Sequence, residues 1–132
     1  MNGKSPGTSD SGGSILILQT SGLREPRRTY APLYIATTAA AMDMDAHVWF
    51  MMEGVTQLKK GAAEQVELVP GSGVTLKDWL DRAREAGVSF YACAQAMEAE
   101  ELTLDDIVDG CHLRGAASVI DLIMEVDKVM YF

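Results

Sequence analysis

Only two of the 132 residues are cysteine and two are histidine. Two thiols are too few for a disulfide scaffold or a four-ligand zinc site, and with only His47 and His112 to add, a closed structural metal site would need a carboxylate or an oligomer interface, so no metal site is expected. Basic residues are also scarce: eleven Lys and Arg stand against nineteen Asp and Glu, a net charge of −8. That balance repels nucleic acid and anionic lipid and favours a basic partner. No apolar run reaches the roughly 18 to 20 residues of a membrane span. A polar Gly/Ser stretch stands where a signal peptide would need a hydrophobic segment. The expected setting is the cytoplasm, with no membrane and no nucleic-acid partner. Gly-x-x-x-x-Gly-Lys-Ser/Thr and Gly-x-Gly-x-x-Gly are both missing, and no Gly-x-Ser-x-Gly elbow joins a strand to a helix. A nucleotide site and ordinary hydrolase chemistry are disfavoured accordingly.

What is present fits one globular domain, because 48% of the residues are apolar and 23% charged. Residues 1–13 hold four Gly and three Ser with one apolar residue, Met1, and are expected to form a flexible tail. The domain is expected over residues 14–132. Ser14 to Thr20 is a continuous apolar run that fits a strand covered on both faces. A helix is expected over about 31–42, with Pro32 tolerable near its start, and a second strand over 45–52. A short helix near 56–60 and an exposed loop over 65–73 follow. Thr75 and Asp78 have the spacing of a capping box for a helix over 76–86, which Gly87 ends. Val88 to Ala92 reads as the third strand, with Cys93 directly after it. Two short helical pieces are expected between Ala94 and Asp109, the second capped by Thr103 with Asp106 and stopped by Gly110. Cys111 to Leu113 fits a short fourth strand, residues 115–126 a last helix and residues 128–132 a fifth strand.

Strands alternating with helices imply an α/β fold, a three-layer α/β/α sandwich around a mainly parallel five-stranded sheet. Chemistry in such folds gathers at the C-terminal edge of the strands. The residues expected there are Gln19 to Gly22, Glu53 to Val55 and Cys93 to Met97, and only Cys93 is a nucleophile near neutral pH. A helix starting just past Cys93 would offer unsatisfied N–H groups to a thiolate. The acids that follow, Glu98, Glu100, Glu101, Asp105, Asp106 and Asp109, pull the other way and have no Lys or Arg among them. They fit a solvated face or a docking surface for a basic partner. A free cysteine also often packs as a small hydrophobe, which is the competing reading for Cys93. Cys111 is expected at the entering end of its strand, away from the site. Arg24, Arg27 and Arg28 lie in the loop after the first strand. Neither His47 nor His112 offers a convincing base, since Cys111 and His112 point to opposite faces of a strand.

The order of these segments resembles the DsrE/DsrF/TusD-like sulfurtransferase family. Ser14-Ile-Leu-Ile-Leu-Gln-Thr-Ser-Gly22 is followed by Asp45-Ala-His-Val-Trp-Phe-Met-Met-Glu-Gly-Val55, Val88-Ser-Phe-Tyr-Ala-Cys93 and Ile107-Val-Asp-Gly110. A Phe/Gly-containing turn after the second strand, a cysteine after the third and a Gly-Ala-bearing last helix carry the likeness. The resemblance implies a YchN-like sandwich and a sulfur carrier that holds sulfane sulfur as a persulfide on Cys93. It also implies transfer to a TusA-like carrier or another sulfur-transfer protein, and assembly as a homo-oligomer or with related subunits. The apolar residues Trp49, Phe50, Met51 and Met52 would suit an interface as well as a core. The alternative is a non-catalytic assembly or small-ligand-binding module of the same fold, with Cys93 as a packing residue.

Overall fold

A computed structural model describes residues 13–132, so the tail expected over 1–13 lies, apart from Gly13, outside the described residues. Five strands form among the described residues, each within two residues of its expected place: β1 (Ser14–Gln19), β2 (Asp45–Phe50), β3 (Ser89–Cys93), β4 (His112–Arg114) and β5 (Lys128–Tyr131). They form one sheet in the order β4-β3-β2-β1-β5, and every neighbouring pair is parallel. The central strands β1 and β2 carry the near-continuous apolar sequence that burial on both faces requires. Trp49 and Phe50 are 1% and 0% exposed within the single chain, so the apolar stretch of β2 is core. Its position in the middle of the sheet is the reason. The strand also ends two residues earlier than its composition suggests. The chain leaves β2 after Phe50 and enters a 3-10 stretch, Met52–Leu58, with Met52 in the left-handed region at φ 51.

Among the described residues four α-helices complete the layers: α1 (Tyr30–Ala41), α2 (Leu76–Glu85), α3 (Ala94–Ala99) and α4 (Ala116–Glu125). Pro32 falls in the first turn of α1, where its missing N–H is no loss. The α2 capping box forms, with the Asp78 carboxylate accepting from the Thr75 N–H at 2.8 Å and the Thr75 hydroxyl accepting from the Asp78 N–H at 3.3 Å. Gly87 closes that helix at φ 97, a conformation that disfavours a side chain.

The coverage of the sheet is uneven. Helices α1, α2 and α3 share one face, with Ile17, Val48, Phe50 and Phe90 in the main core. On the other face α4 packs alone over a small cluster of Leu16, Trp49 and Val119. Its outer residues Ile120 and Met124 are 56% and 79% exposed, as is 70% of Tyr131 on the edge strand β5. Among the described residues no helix is long and apolar enough to cross a membrane.

Candidate functional site

Cys93 is both the last residue of β3 and the residue that opens α3. The strand alternation puts it on the α4 side of the sheet, two residues beyond Tyr91, and it packs partly against both core clusters. In the sheet its register partner on β4 is Arg114. Met51 lies on the other side, since Phe50 pairs with Ala92 one residue earlier. The half-buried thiol lines a cleft of about 470 Å³ whose walls are Met51, Met52, Glu53, Gln95, Ala96, Ala99 and Glu100. The cleft is predominantly apolar next to the sulfur and carries a carboxylate on each flank.

Those two carboxylates are tied together by a residue from a third segment. Arg24, in the loop after β1, donates from Nη1 to Glu53 Oε2 at 3.2 Å and to Glu100 Oε2 at 3.1 Å. Its Nη2 donates to Glu100 Oε1 at 2.9 Å, which makes the Glu100 contact a two-point fork. The guanidinium holds the Glu100 carboxyl below the usual carboxylate range. The loop can approach this closely because of two glycines. A Cβ on Gly22 would overlap the Glu53 carbonyl oxygen, and one on Gly54 would overlap the Gln19 carbonyl oxygen.

The N–H groups of the same loop are already spent. The Ser21 N–H donates to Gln19 Oε1 at 3.1 Å and the Leu23 N–H to Thr56 Oγ1 at 2.9 Å. Arg28 donates to Ser21 Oγ at 3.3 Å. Gln19 is fully buried and serves this scaffold, so the segment Gln19 to Gly22 shapes the edge and makes no anion cradle.

The acids after Cys93 are less uniform than their spacing suggests, because the fold supplies cations from distant segments. Glu100 has Arg24, and Asp106 is drawn down first by the Thr103 N–H and hydroxyl, then by Lys59 and Lys60. The Asp106 carboxylate accepts from the Thr103 N–H at 2.8 Å, the expected capping geometry. Glu98, Glu101, Asp105 and Asp109 stay exposed.

Cys111 lies just before β4, three residues back from the register partner of Cys93, and lines no part of the cleft. Burial pushes its thiol up to about 11, with Asp109 adding to the shift and Arg84 opposing it. His47 is buried, its ring nitrogens 3.0 Å from Asp45 Oδ2 and 3.1 Å from the Tyr91 hydroxyl. Tyr91 stacks on Trp49 at 4.9 Å and meets the His112 ring at 5.2 Å. Neither histidine lines the Cys93 cleft. Among the described residues no group of three or more His, Cys, Asp and Glu could hold a metal ion. Sequence reading placed Cys93 and Glu53 at this edge. It missed Arg114, because pairing between β3 and β4 is a tertiary fact, and it missed the Arg24 bridge for the same reason.

The model of the DsrE/DsrF-like family matches residues 13–132. The chain belongs to the DsrE/DsrF-like family. An uncharacterized protein of Methanocaldococcus jannaschii is 24% identical over 109 residues, 81% of this chain but only 38% of that longer protein. One from Methanopyrus kandleri is 26% identical over 105 residues, covering 80% of this chain and 82% of its own length. The crystal structure of the YchN protein from E. coli superposes with a TM-score of 0.76 at 17% identity, covering 91% of this chain and 99% of that one. A protein of unknown function from Methanobacterium thermoautotrophicum gives 0.65 at 14% identity, again over 91% and 99%. The family fold is therefore the YchN-like α/β sandwich, with a sheet that is parallel throughout.

Proposed function

We propose that this DsrE/DsrF-like protein is a sulfur carrier in which Cys93 holds sulfane sulfur as a persulfide and hands it to a partner carrier. The observation that supports it most is the contrast between the two thiols. Cys93 ends a strand at the C-terminal edge and lines a cleft of about 470 Å³, whereas the Cys111 thiol is buried and pushed up to about 11. Membership of a family whose proteins act in sulfur relay supports the same assignment.

The chemistry needs one thiolate. The Cys93 thiolate attacks the outer sulfur of a donor persulfide, R–S–SH, the S–S bond breaks, and R–S⁻ leaves with Cys93–S–SH formed. An acceptor thiolate then attacks the outer sulfur and Cys93 leaves as its thiolate. The oxidation level passes along with the sulfur, so no metal or organic cofactor is called for. Met51, Ala96 and Ala99 give the reacting sulfurs an apolar bed, and Arg114 is the cation beside Cys93 in the sheet. A TusA-like carrier or another sulfur-transfer protein is the expected acceptor. The exposed apolar residues Ile120, Met124 and Tyr131 suit packing against a second copy or a related subunit.

The test is intact-mass measurement after incubation with a persulfide donor. A sulfur adduct that is present in the parent and in Cys111→Ser but lost in Cys93→Ser is the expected result. No adduct on either cysteine under donor excess would overturn the reading and favour a packing role for Cys93.

A further inference from the structure

A second cleft, about 490 Å³, opens on the α1–α2 side of the sheet, away from Cys93. It is lined by Tyr30, Trp79, Leu68, Val69 and Pro70, with the exposed Arg27 as its one charged lining residue. Tyr30 and Tyr34 lie one helical turn apart on α1, and both contact Trp79 of α2, with ring centroids 6.0 Å and 5.9 Å away. The three rings form one continuous aromatic surface, yet Tyr30 remains 42% exposed and Tyr34 56%. Aromatic area left in water at this density is costly unless something covers it.

The surface is also pre-built. The Arg82 guanidinium lies 5.0 Å from the Trp79 ring centroid and fixes one side of the indole. The loop carrying Leu68, Val69 and Pro70 is held by Glu67, whose carboxylate accepts from the Gly71 N–H at 2.6 Å and the Gly73 N–H at 3.0 Å. That carboxylate is thus engaged with its own loop. Arg27 makes no hydrogen bond or ion pair among the described residues, in contrast to Arg24 and Arg28 of the same segment. An unpaired arginine in the lining of an aromatic cleft selects a ligand with a π face and an oxyanion. The volume lies in the range of small-molecule sites, and the single cation matches a single acid group.

We propose that this cleft binds a small planar aromatic anion, its ring against Tyr30 and Trp79 and its carboxylate or phosphate on Arg27. The ring supplies contact area and the guanidinium supplies orientation. The site is separate from Cys93, since the two clefts share no lining residue.

The chain has two tryptophans, and their indole N–H resonances are independent reporters. Trp79 lines the cleft, whereas Trp49 is 1% exposed in the core and reports the fold. The isotope-labelled full chain is titrated with indole-3-acetate and with phenyl phosphate, which separate a carboxylate from a phosphate ligand. Indole, acetate and inorganic phosphate serve as single-feature controls. A saturable shift of the Trp79 resonance with at least one aromatic anion is expected, with indole and the bare anions at least about tenfold weaker. Arg27→Ala should weaken binding about tenfold while leaving the Trp49 resonance in place. Absence of a saturable Trp79 shift with both aromatic anions would overturn the proposal. So would equal affinity in Arg27→Ala, or equal affinity for uncharged indole.

Discussion

Arg24 and Glu100 are 76 residues apart in the chain and meet through two hydrogen bonds of 3.1 Å and 2.9 Å at the rim of the Cys93 cleft. With Glu53 as the third member, the contact joins the loop after β1, the turn after β2 and the helix after β3. All three charged groups are accessible to solvent, so the bridge contributes more to the shape of the rim than to global stability. Arg24→Ala is expected to raise the rate of Cys93 alkylation several-fold and to leave the thermal midpoint almost unchanged. Timed iodoacetamide labelling with mass detection checks the first, and calorimetry the second.

Docking of a basic acceptor should depend on the acids without a cationic partner. Transfer from persulfidated Cys93 to a basic thiol peptide is expected to slow as salt rises, because the Debye length falls from about 10 Å at 0.1 M to about 3 Å at 1 M. Glu98→Gln, Glu101→Gln and Asp105→Asn together should flatten that dependence. Glu100→Gln alone should flatten it less, since Arg24 already offsets Glu100. Rates that ignore both salt and the triple change would identify a merely solvated face.

The Cys111 thiol gives a pH signature. Burial raises it from 9.0 to about 11 in the folded chain, so the unfolded chain loses its proton first as pH rises. Stability is unaffected by this group below about pH 9 and falls between about 9 and 11, by up to about 1.4 kcal/mol per pH unit. In urea titrations across that window, Cys111→Ala should show a shallower loss than the parent, whatever its starting stability.

Gly22 is a steric prediction. Its Cβ would overlap the Glu53 carbonyl oxygen and the Thr56 hydroxyl, so Gly22→Ala must push the loop away from the turn after β2. A loss of about 2 kcal/mol in chemical denaturation is expected. Because the same loop carries Arg24, faster Cys93 labelling should accompany it.

Much of the architecture was readable from local pattern. The apolar runs beginning at Ser14, Asp45 and Val88 become β1, β2 and β3 to within two residues at either end, and the Thr75–Asp78 and Thr103–Asp106 boxes form where their spacing places them. These features depend on neighbours within four residues. What escaped were the specific side-chain and register pairings between distant segments. Nothing near Arg24 in the chain points to Glu100, and the row of acids looked unrelieved because its cations come from the loop after β1 and from Lys59 and Lys60. The early end of β2 escaped too, since Met51 and Met52 are as apolar as the strand they follow. Likewise, an apolar α4 does not announce that it will cover its face of the sheet alone.

The place of β5 beside β1 has its own consequence. The Ser14 N–H and hydroxyl donate to Asp127 across 113 residues, at 2.9 Å and 3.2 Å, and the Phe132 N–H donates to the Leu18 carbonyl at 2.9 Å. During synthesis β1 precedes the other four strands but waits for β5, with Ser14 meeting Asp127 113 residues on, before one of its edges is satisfied. Such a long closure is entropically expensive and slow, so assembly should finish late and expose an unpaired strand edge until it does. Because the two strands run parallel, Ser14 lies beside Asp127 and Phe132 beside Thr20, so that edge of β1 is closed along its length only once β5 is in place.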